Sequence, residues 1–185
     1  MENTRCDSIE EVDDISARNE YKVALAHGLS PAQAMESVNR FSRDNARTPF
    51  QWDDTANAGF TSGTPWLKVN PNYREINLAA QENDPDSVWN FYRALTALRS
   101  NPAYRETVVY GETRPYMPNR KNLMAYFRRG EKQTLLVMGN YQAKGQRVRL
   151  PGKVKKVLLN NLNEFDVKDG VFKMGPWQFA VLEMK

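Results

Sequence analysis

Asp84-Pro85-Asp86-Ser87-Val88-Trp89-Asn90-Phe91-Tyr92-Arg93-Ala94-Leu95-Thr96-Ala97-Leu98-Arg99-Ser100-Asn101-Pro102 is where the chain changes its hydrophobic period. Val88, Phe91, Tyr92, Leu95 and Leu98 recur at helical spacing behind an Asp84 N-cap and a proline suited to the first helical position. The pattern predicts a helix over 84–100. Asn101-Pro102 stops it, because the residue before a proline is pushed out of the helical region. Beyond that point the period becomes two. Residues 107–110, 123–128, 133–140, 147–150, 154–159 and 177–184 read as strands, punctuated by Gly111, Pro118-Asn119, Gly130, Gly145 and Asp169-Gly170. Short strands at this spacing predict an antiparallel sandwich, on which Phe91, Leu95 and Leu98 are expected to pack the preceding helix.

Before that helix, residues 13–27 suit another, with Asp14 or Ser16 as N-cap and Gly28 supplying a left-handed closing turn. Ser30-Pro31-Ala32-Gln33 opens a further helix with a capping box and a first-turn proline. Its apolar stripe is Ala34, Met35, Val38 and Phe41. From 52 to 83 periodicity fails, and Gly59, Gly63, Pro65, Pro71 and several Asn make a loop longer than compact domains usually carry without a reason. The fold class is therefore α+β, helices and loops first and β-structure second. Residues 1–104 and 105–185 are the expected domains.

A chain of 185 residues, 41% hydrophobic, is long enough for a sizeable core. Its apolar runs are strand-length, far short of the ~20 residues of a membrane helix, so no membrane association is expected. The first residues have neither the basic nor the apolar stretch of a signal peptide. Cys6 is the single cysteine, which leaves no internal disulfide or thiolate zinc cluster and fits a reducing, cytoplasmic setting. Residues 1–104 hold 10 Lys+Arg against 15 Asp+Glu, whereas 105–185 hold 16 against 7. No basic helix or recognition motif accompanies that charge, and Arg147 and Arg149 alternate with Val148 and Leu150 as on the wet face of a strand. Nucleic acid is not an expected partner.

Chemistry is sparse. The only histidine, His27, cannot build a multi-histidine metal site, and its place at a helix end suits carbonyl capping. Glu10, Glu11, Asp13 and Asp14 lack the spacing of a calcium loop and read as a solvated helix start. No metal or cofactor is expected. Trp177, Tyr110, Tyr116 and Tyr126 offer sugar-stacking rings, or simply sandwich core and rim. The densest segment is Ser42-Arg43-Asp44-Asn45-Ala46-Arg47-Thr48-Pro49-Phe50-Gln51-Trp52-Asp53. An arginine fork there can hold a carboxylate and donate to sugar hydroxyls, while an indole covers a pyranose face. A buried Arg/Asp cluster orienting a loop is equally open.

That segment resembles the Ser-Arg-Asp-Asn-Ala-Arg-Thr-Pro-(Met/Phe)-Gln-Trp signature of oligo-1,6-glucosidase, dextran glucosidase and related α-glucosidases of glycoside hydrolase family 13. The likeness continues through 57–61, Thr64-Pro65-Trp66, 68–73, Glu75-Ile76-Asn77 and 84–88, over residues 1 to about 104. It implies helices and loops from the end of a (β/α)8 barrel, followed by a C-terminal β-domain. It also implies that the catalytic Asp, Glu and Asp lie on earlier strands, outside this chain, since no Asn-His-Asp triplet occurs here. No catalytic residue is then assigned. Arg47 becomes a contact to the glucose of the innermost subsite, with Arg43 in support, and the substrate of the full-length enzyme is an oligosaccharide with terminal α-linked glucose. Phe50, where many members have Met, leaves linkage preference and hydrolysis versus sucrose isomerisation open. The rival reading is a non-catalytic carbohydrate-binding or interaction module. Without the rest of a barrel, residues 41–83 are expected to be poorly ordered or rearranged, and self-association is expected through the uncovered surface.

Overall fold

The computed structural model describes residues 2–185, which fold as two compact units, one running to Trp89 and the other spanning Asn90–Lys185. In the first, α1 (Ile15–Ala26) starts at Asp14, whose side chain accepts from the Ser16 amide. It closes on Gly28 at φ 88°, with the Leu29 amide reaching back to the Ala24 carbonyl. The capping box of Ser30 and Gln33 opens α2 (Pro31–Phe41) as its sequence predicts. Val12, Ala17 and Val38 form the small core these helices share, with Cys6, Ile9, Tyr21 and Met35 against it. Phe41 ends the predicted stripe but is 69% exposed.

Residues 42–83 are ordered by their own amides, contrary to the expectation of a loosely held loop. Asn70 caps the 3-10 turn Pro71–Arg74, and Asn77 caps the short α3 (Leu78–Glu82). Gln51, 2% exposed, donates to Asn72 and to the Ile76 carbonyl. The carbonyls of Gln51 and Trp52 accept from Leu78 and Ala79, the first amides of α3. Burying polar groups in pairs this way supplies the order that apolar periodicity does not.

The helix α4 spans Val88–Ser100, starting later than Asp84 because residues 84–87 form a turn in which Asp84 accepts from the Asp86 and Ser87 amides. Every described residue of α4 is at least partly exposed. Leu95 and Leu98 do not pack tightly on the sheet: with Tyr126, Leu135 and Val181 they line a cleft of about 630 Å³, and Phe91 is not among its walls. The predicted strand 107–110 is instead α5 (Arg105–Tyr110). The Asn101 carbonyl closes the turn that leads into it, accepting from the Tyr104 and Arg105 amides, and the Val108 and Val109 carbonyls at its end receive the Arg128 guanidinium. A cation from another element at a helix C-terminus overrides the β-branched composition of Thr107-Val108-Val109.

The remaining predicted strands form. A five-stranded antiparallel sheet runs β1 (Glu112–Pro115), β2 (Leu123–Arg129), β3 (Thr134–Asn140), β8 (Phe179–Met184), β5 (Val154–Asn160). A second sheet runs β4 (Gln146–Arg149), β7 (Val171–Met174), β6 (Asp166–Lys168). Leu136, Met138 and Leu182 from the larger sheet meet Val148, Phe172 and Met174 from the smaller in one apolar core. The edge strand β5 is bulged twice against β8, and the opposite edge, β1, ends on Pro115. Among the described residues no helix is long and apolar enough to cross a membrane.

On β8, Glu183 is 5% exposed and accepts from Lys155 at 2.6 Å and from the Tyr104 hydroxyl at 3.0 Å. The Lys155 ammonium holds this carboxyl below its usual range, against the opposing effect of burial. A depressed carboxylate contributes stability above the unfolded value near ~4.3, and that contribution disappears as pH falls through the folded value. Lys155 is half-exposed, so the contribution is modest. Glu183→Gln is expected to lose about 1–2 kcal/mol at pH 7 in urea unfolding, and the gap to the parent chain is expected to narrow as pH falls below the unfolded value of ~4.3. A gap independent of pH contradicts this assignment.

Candidate functional site

The signature segment is held on both sides. Ser42 ends α2 and caps the 3-10 turn Arg43–Ala46, its hydroxyl accepting from the Asp44 amide. Asp44, 9% exposed, turns Oδ2 to the amides of Asp13 and Asp14, each at 2.8 Å. Asp14 returns the contact. Its Oδ1 accepts from Arg43 Nη2 at 2.7 Å, Arg43 Nε at 3.1 Å and the Ser16 amide, and its Oδ2 from the Arg43 amide at 2.9 Å. Two carboxylates thirty residues apart in sequence thus each bind the backbone beside the other. The Arg43 guanidinium keeps the Asp14 carboxyl well below the usual carboxylate range despite its burial.

Arg43 and Arg47 are placed differently. Arg43 spends its fork on Asp14 and on the Ser16 hydroxyl. Arg47 follows the turn, its amide closing on the Asp44 carbonyl, and its Nη1 stands 3.7 Å from Asp44 Oδ1, an ion pair longer than a hydrogen bond. Its side chain is 41% exposed. Asp44 was legible as part of the cluster, but its role as the pin between the turn and the start of α1 was not. Only a Ser two residues before an Asp, the mark of a short capped turn, hints at it.

Next along the chain, Phe50 and Trp52 meet edge to face, 4.7 Å between centroids, and both remain partly exposed. Buried Gln51 between them fixes their backbone. The Trp52 amide donates to the carbonyl of Ala58, which is fully buried and, like Asn57 and Gly59, has positive φ. A side chain at Gly59 would come within 2.7 Å of the Asp53 carboxylate, so the turn depends on glycine there. Of the other candidates, His27 caps its own helix through Nδ1 and the Val23 carbonyl at 2.8 Å. Glu11 and Asp7 pair with Lys68. Among the described residues no three His, Cys, Asp or Glu side chains converge as a metal site requires.

Residues 10–111 match the model of the α-amylase catalytic domain, and 123–181 match that of the C-terminal domain of the α-amylase SusG. Oligo-1,6-glucosidase of Parageobacillus thermoglucosidasius is 37% identical over all of this chain and 34% of its own length. Trehalose-6-phosphate hydrolase of Bacillus licheniformis superposes with a TM-score of 0.89 at 34% identity, over 99% of this chain and 34% of that one. The trehalulose synthase of Pseudomonas mesoacidophila does so with a TM-score of 0.88 at 35% identity, over 99% and 33%. The chain therefore spans about a third of the relatives it matches, in both sequence and structure. With more than half of its residues matched by the catalytic-domain model, it belongs to the α-amylase family, glycoside hydrolase family 13.

Proposed function

We propose that this chain is the C-terminal third of a retaining α-glucosidase that releases terminal α-linked glucose from short oligosaccharides, and that it lacks the catalytic carboxylates. Residues 1–104 are then the end of the barrel domain and 105–185 the C-terminal β-domain. The observation that carries the reading is the contrast between the two arginines. Arg43 is consumed in locking the turn, whereas Arg47 projects from it half-exposed, with donors beyond its long contact to Asp44. In retaining hydrolysis two carboxyl groups roughly 5 Å apart serve as nucleophile and acid/base. A guanidinium beside them orients sugar hydroxyls and keeps the nucleophile ionised. The relative named oligo-1,6-glucosidase supports glucoside hydrolysis. A cytoplasmic setting is supported by the single cysteine.

In the full-length enzyme, Arg47→Ala is expected to lower kcat/KM on a chromogenic α-glucoside by about 100-fold or more, while Arg43→Ala acts mainly on thermal stability. Unchanged kcat/KM in Arg47→Ala removes it from the site. Isolated, the chain exposes Phe41, Trp52, Phe60 and Trp66 by 44–69%, apolar surface of the kind that drives association. Light scattering at low micromolar concentration is expected to show dimers or larger species. A strict monomer refutes that part.

A further inference from the structure

Of the rings that the sequence offers for sugar stacking, Tyr116 packs against the sandwich core, Tyr126 lines the cleft beside α4, and Tyr110 sits beneath the Arg105 guanidinium. Trp177 is placed differently. It is 53% exposed and holds the third position of a turn whose ends are joined by the Gln178 amide and the Gly175 carbonyl at 3.4 Å. Pro176 before it and its own φ of 53° mark a type II turn, which selects glycine at that third position. Asn57, Asn122 and Asp169 also have positive φ, but short polar side chains tolerate it and an indole does not. The indole joins neither apolar core, so core packing does not offset the strain. Four side-chain and backbone contacts hold the turn in place instead. The Trp177 amide donates to the Gln142 carbonyl at 3.2 Å, and its carbonyl accepts from Asn161 Nδ2 at 2.9 Å. Asn161 Oδ1 takes the Phe179 amide at 2.6 Å, and buried Gln178 takes the Gly175 amide at 2.7 Å. Strained backbone that its surroundings hold this firmly is a pointer to function.

We propose that Trp177 is a sugar-binding residue of the second unit: the apolar face of one glucose of an α-linked oligosaccharide stacks on the indole, and neighbouring carboxamides hydrogen-bond its hydroxyls. An indole suits this contact because it joins a large apolar face to a polar edge. Held at both its peptide groups, it also has little freedom to lose when a ligand arrives. The carboxamides come from Gln142, whose backbone already meets Trp177, and from Asn122, whose Nδ2 donates to Gln142 Oε1 at 2.9 Å in an exposed pair. Tyr141, between β3 and Gln142, is 45% exposed and meets Phe179 edge to face at 5.0 Å. Asn122, Tyr141, Gln142 and Asn161 are all uncharged, in a domain where Lys and Arg outnumber Asp and Glu by 16 to 7. That composition suits a neutral polyhydroxylated ligand better than a nucleic acid or an acidic peptide. The choice of α-linked glucose rests on the function proposed above; the site rests on the turn.

Saturation-transfer difference NMR reads weak sugar contacts from the sugar's own protons, whatever the association state of the chain. With isomaltotriose, transfer is expected in the parent chain and in Arg47→Ala, kept in Trp177→Tyr and lost in Trp177→Gly. Because glycine suits the turn, Trp177→Gly is also expected to raise the urea midpoint of the second unit, followed by far-UV circular dichroism. Binding lost together with a gain in stability is the signature of a residue kept for its ligand. A lowered midpoint shows that the indole holds the fold and overturns the proposal. Transfer unchanged in Trp177→Gly overturns it as well, and if that variant also disperses the clusters seen by light scattering, the ring is a contact between copies of the chain. Transfer that disappears in Arg47→Ala places the sugar on the signature turn instead. Equal transfer to cellotriose overturns the assignment to α-linked glucose. If the full-length enzyme has no glucosidase activity, the function proposed above fails, while these measurements still decide whether Trp177 binds sugar.

Discussion

Purified alone, the chain is expected to release no 4-nitrophenol from 4-nitrophenyl α-glucoside, at any concentration at which the full-length enzyme is measured. Glycoside hydrolysis needs a carboxylic acid that holds its proton near neutral pH and a second carboxylate free to attack. The acids nearest the two arginines are committed elsewhere. Asp14 is buried under Arg43 and held far on the ionised side, so it has no proton to give a leaving group. Asp44 has Oδ2 occupied by two backbone amides and is itself buried. Both serve the fold. An arginine can stabilise charge that others generate, but it cannot protonate a glycosidic oxygen or attack an anomeric carbon. Turnover by rigorously purified chain that disappears in Arg47→Ala contradicts the assignment of the catalytic carboxylates to another part of the enzyme.

Asp44→Ala is expected to unfold the first unit well before the second. Truncation strips the Asp13 and Asp14 amides of their acceptor and takes the counter-charge from Arg47. Stranding the buried Asp14 donor costs about 1–3 kcal/mol and the part-buried Asp13 donor less, giving roughly 2–4 kcal/mol in all. A unit of this size has about 5–10 kcal/mol of total stability, so half of it is at stake. Asp44→Asn keeps an acceptor oxygen for the amides and is expected to cost about 1 kcal/mol. Tryptophan fluorescence in urea separates the units, since Trp52, Trp66 and Trp89 belong to the first and Trp177 to the second. An Asp44→Ala chain within about 0.5 kcal/mol of the parent shows that the turn is held by something else.

The parts of the fold legible in the sequence are those decided within a few residues. The Ser30-Gln33 box, the Asp14 cap and the Gly28 turn each involve neighbours, and each stands where the sequence places it. What was misread depended on distant partners. Residues 105–110 are helical because Arg128 arrives from β2. The hairpin of β6 and β7 went unassigned, although Asp169-Gly170 marked its turn, because its strands are three and four residues long and β6 is wholly exposed. The signature segment was visible as a dense polar cluster. The resemblance ranks Arg47 above Arg43, but the pairing of Arg43 with Asp14 was not legible, because the two are far apart in sequence and adjacent in space.

The two bulges of β5 and the proline that ends β1 determine how this chain behaves when concentrated. An open edge strand is a template for endless hydrogen-bonded growth, and a long flat one seeds cross-β fibres. Here one rim of the larger sheet is kinked out of register and carries Lys155 and Lys156, while the other ends in a residue that donates no backbone hydrogen bond. Both rims are poor templates for strand-by-strand growth. Clusters of this chain should therefore be finite, amorphous and reversible on dilution, and thioflavin T should stay dark in them.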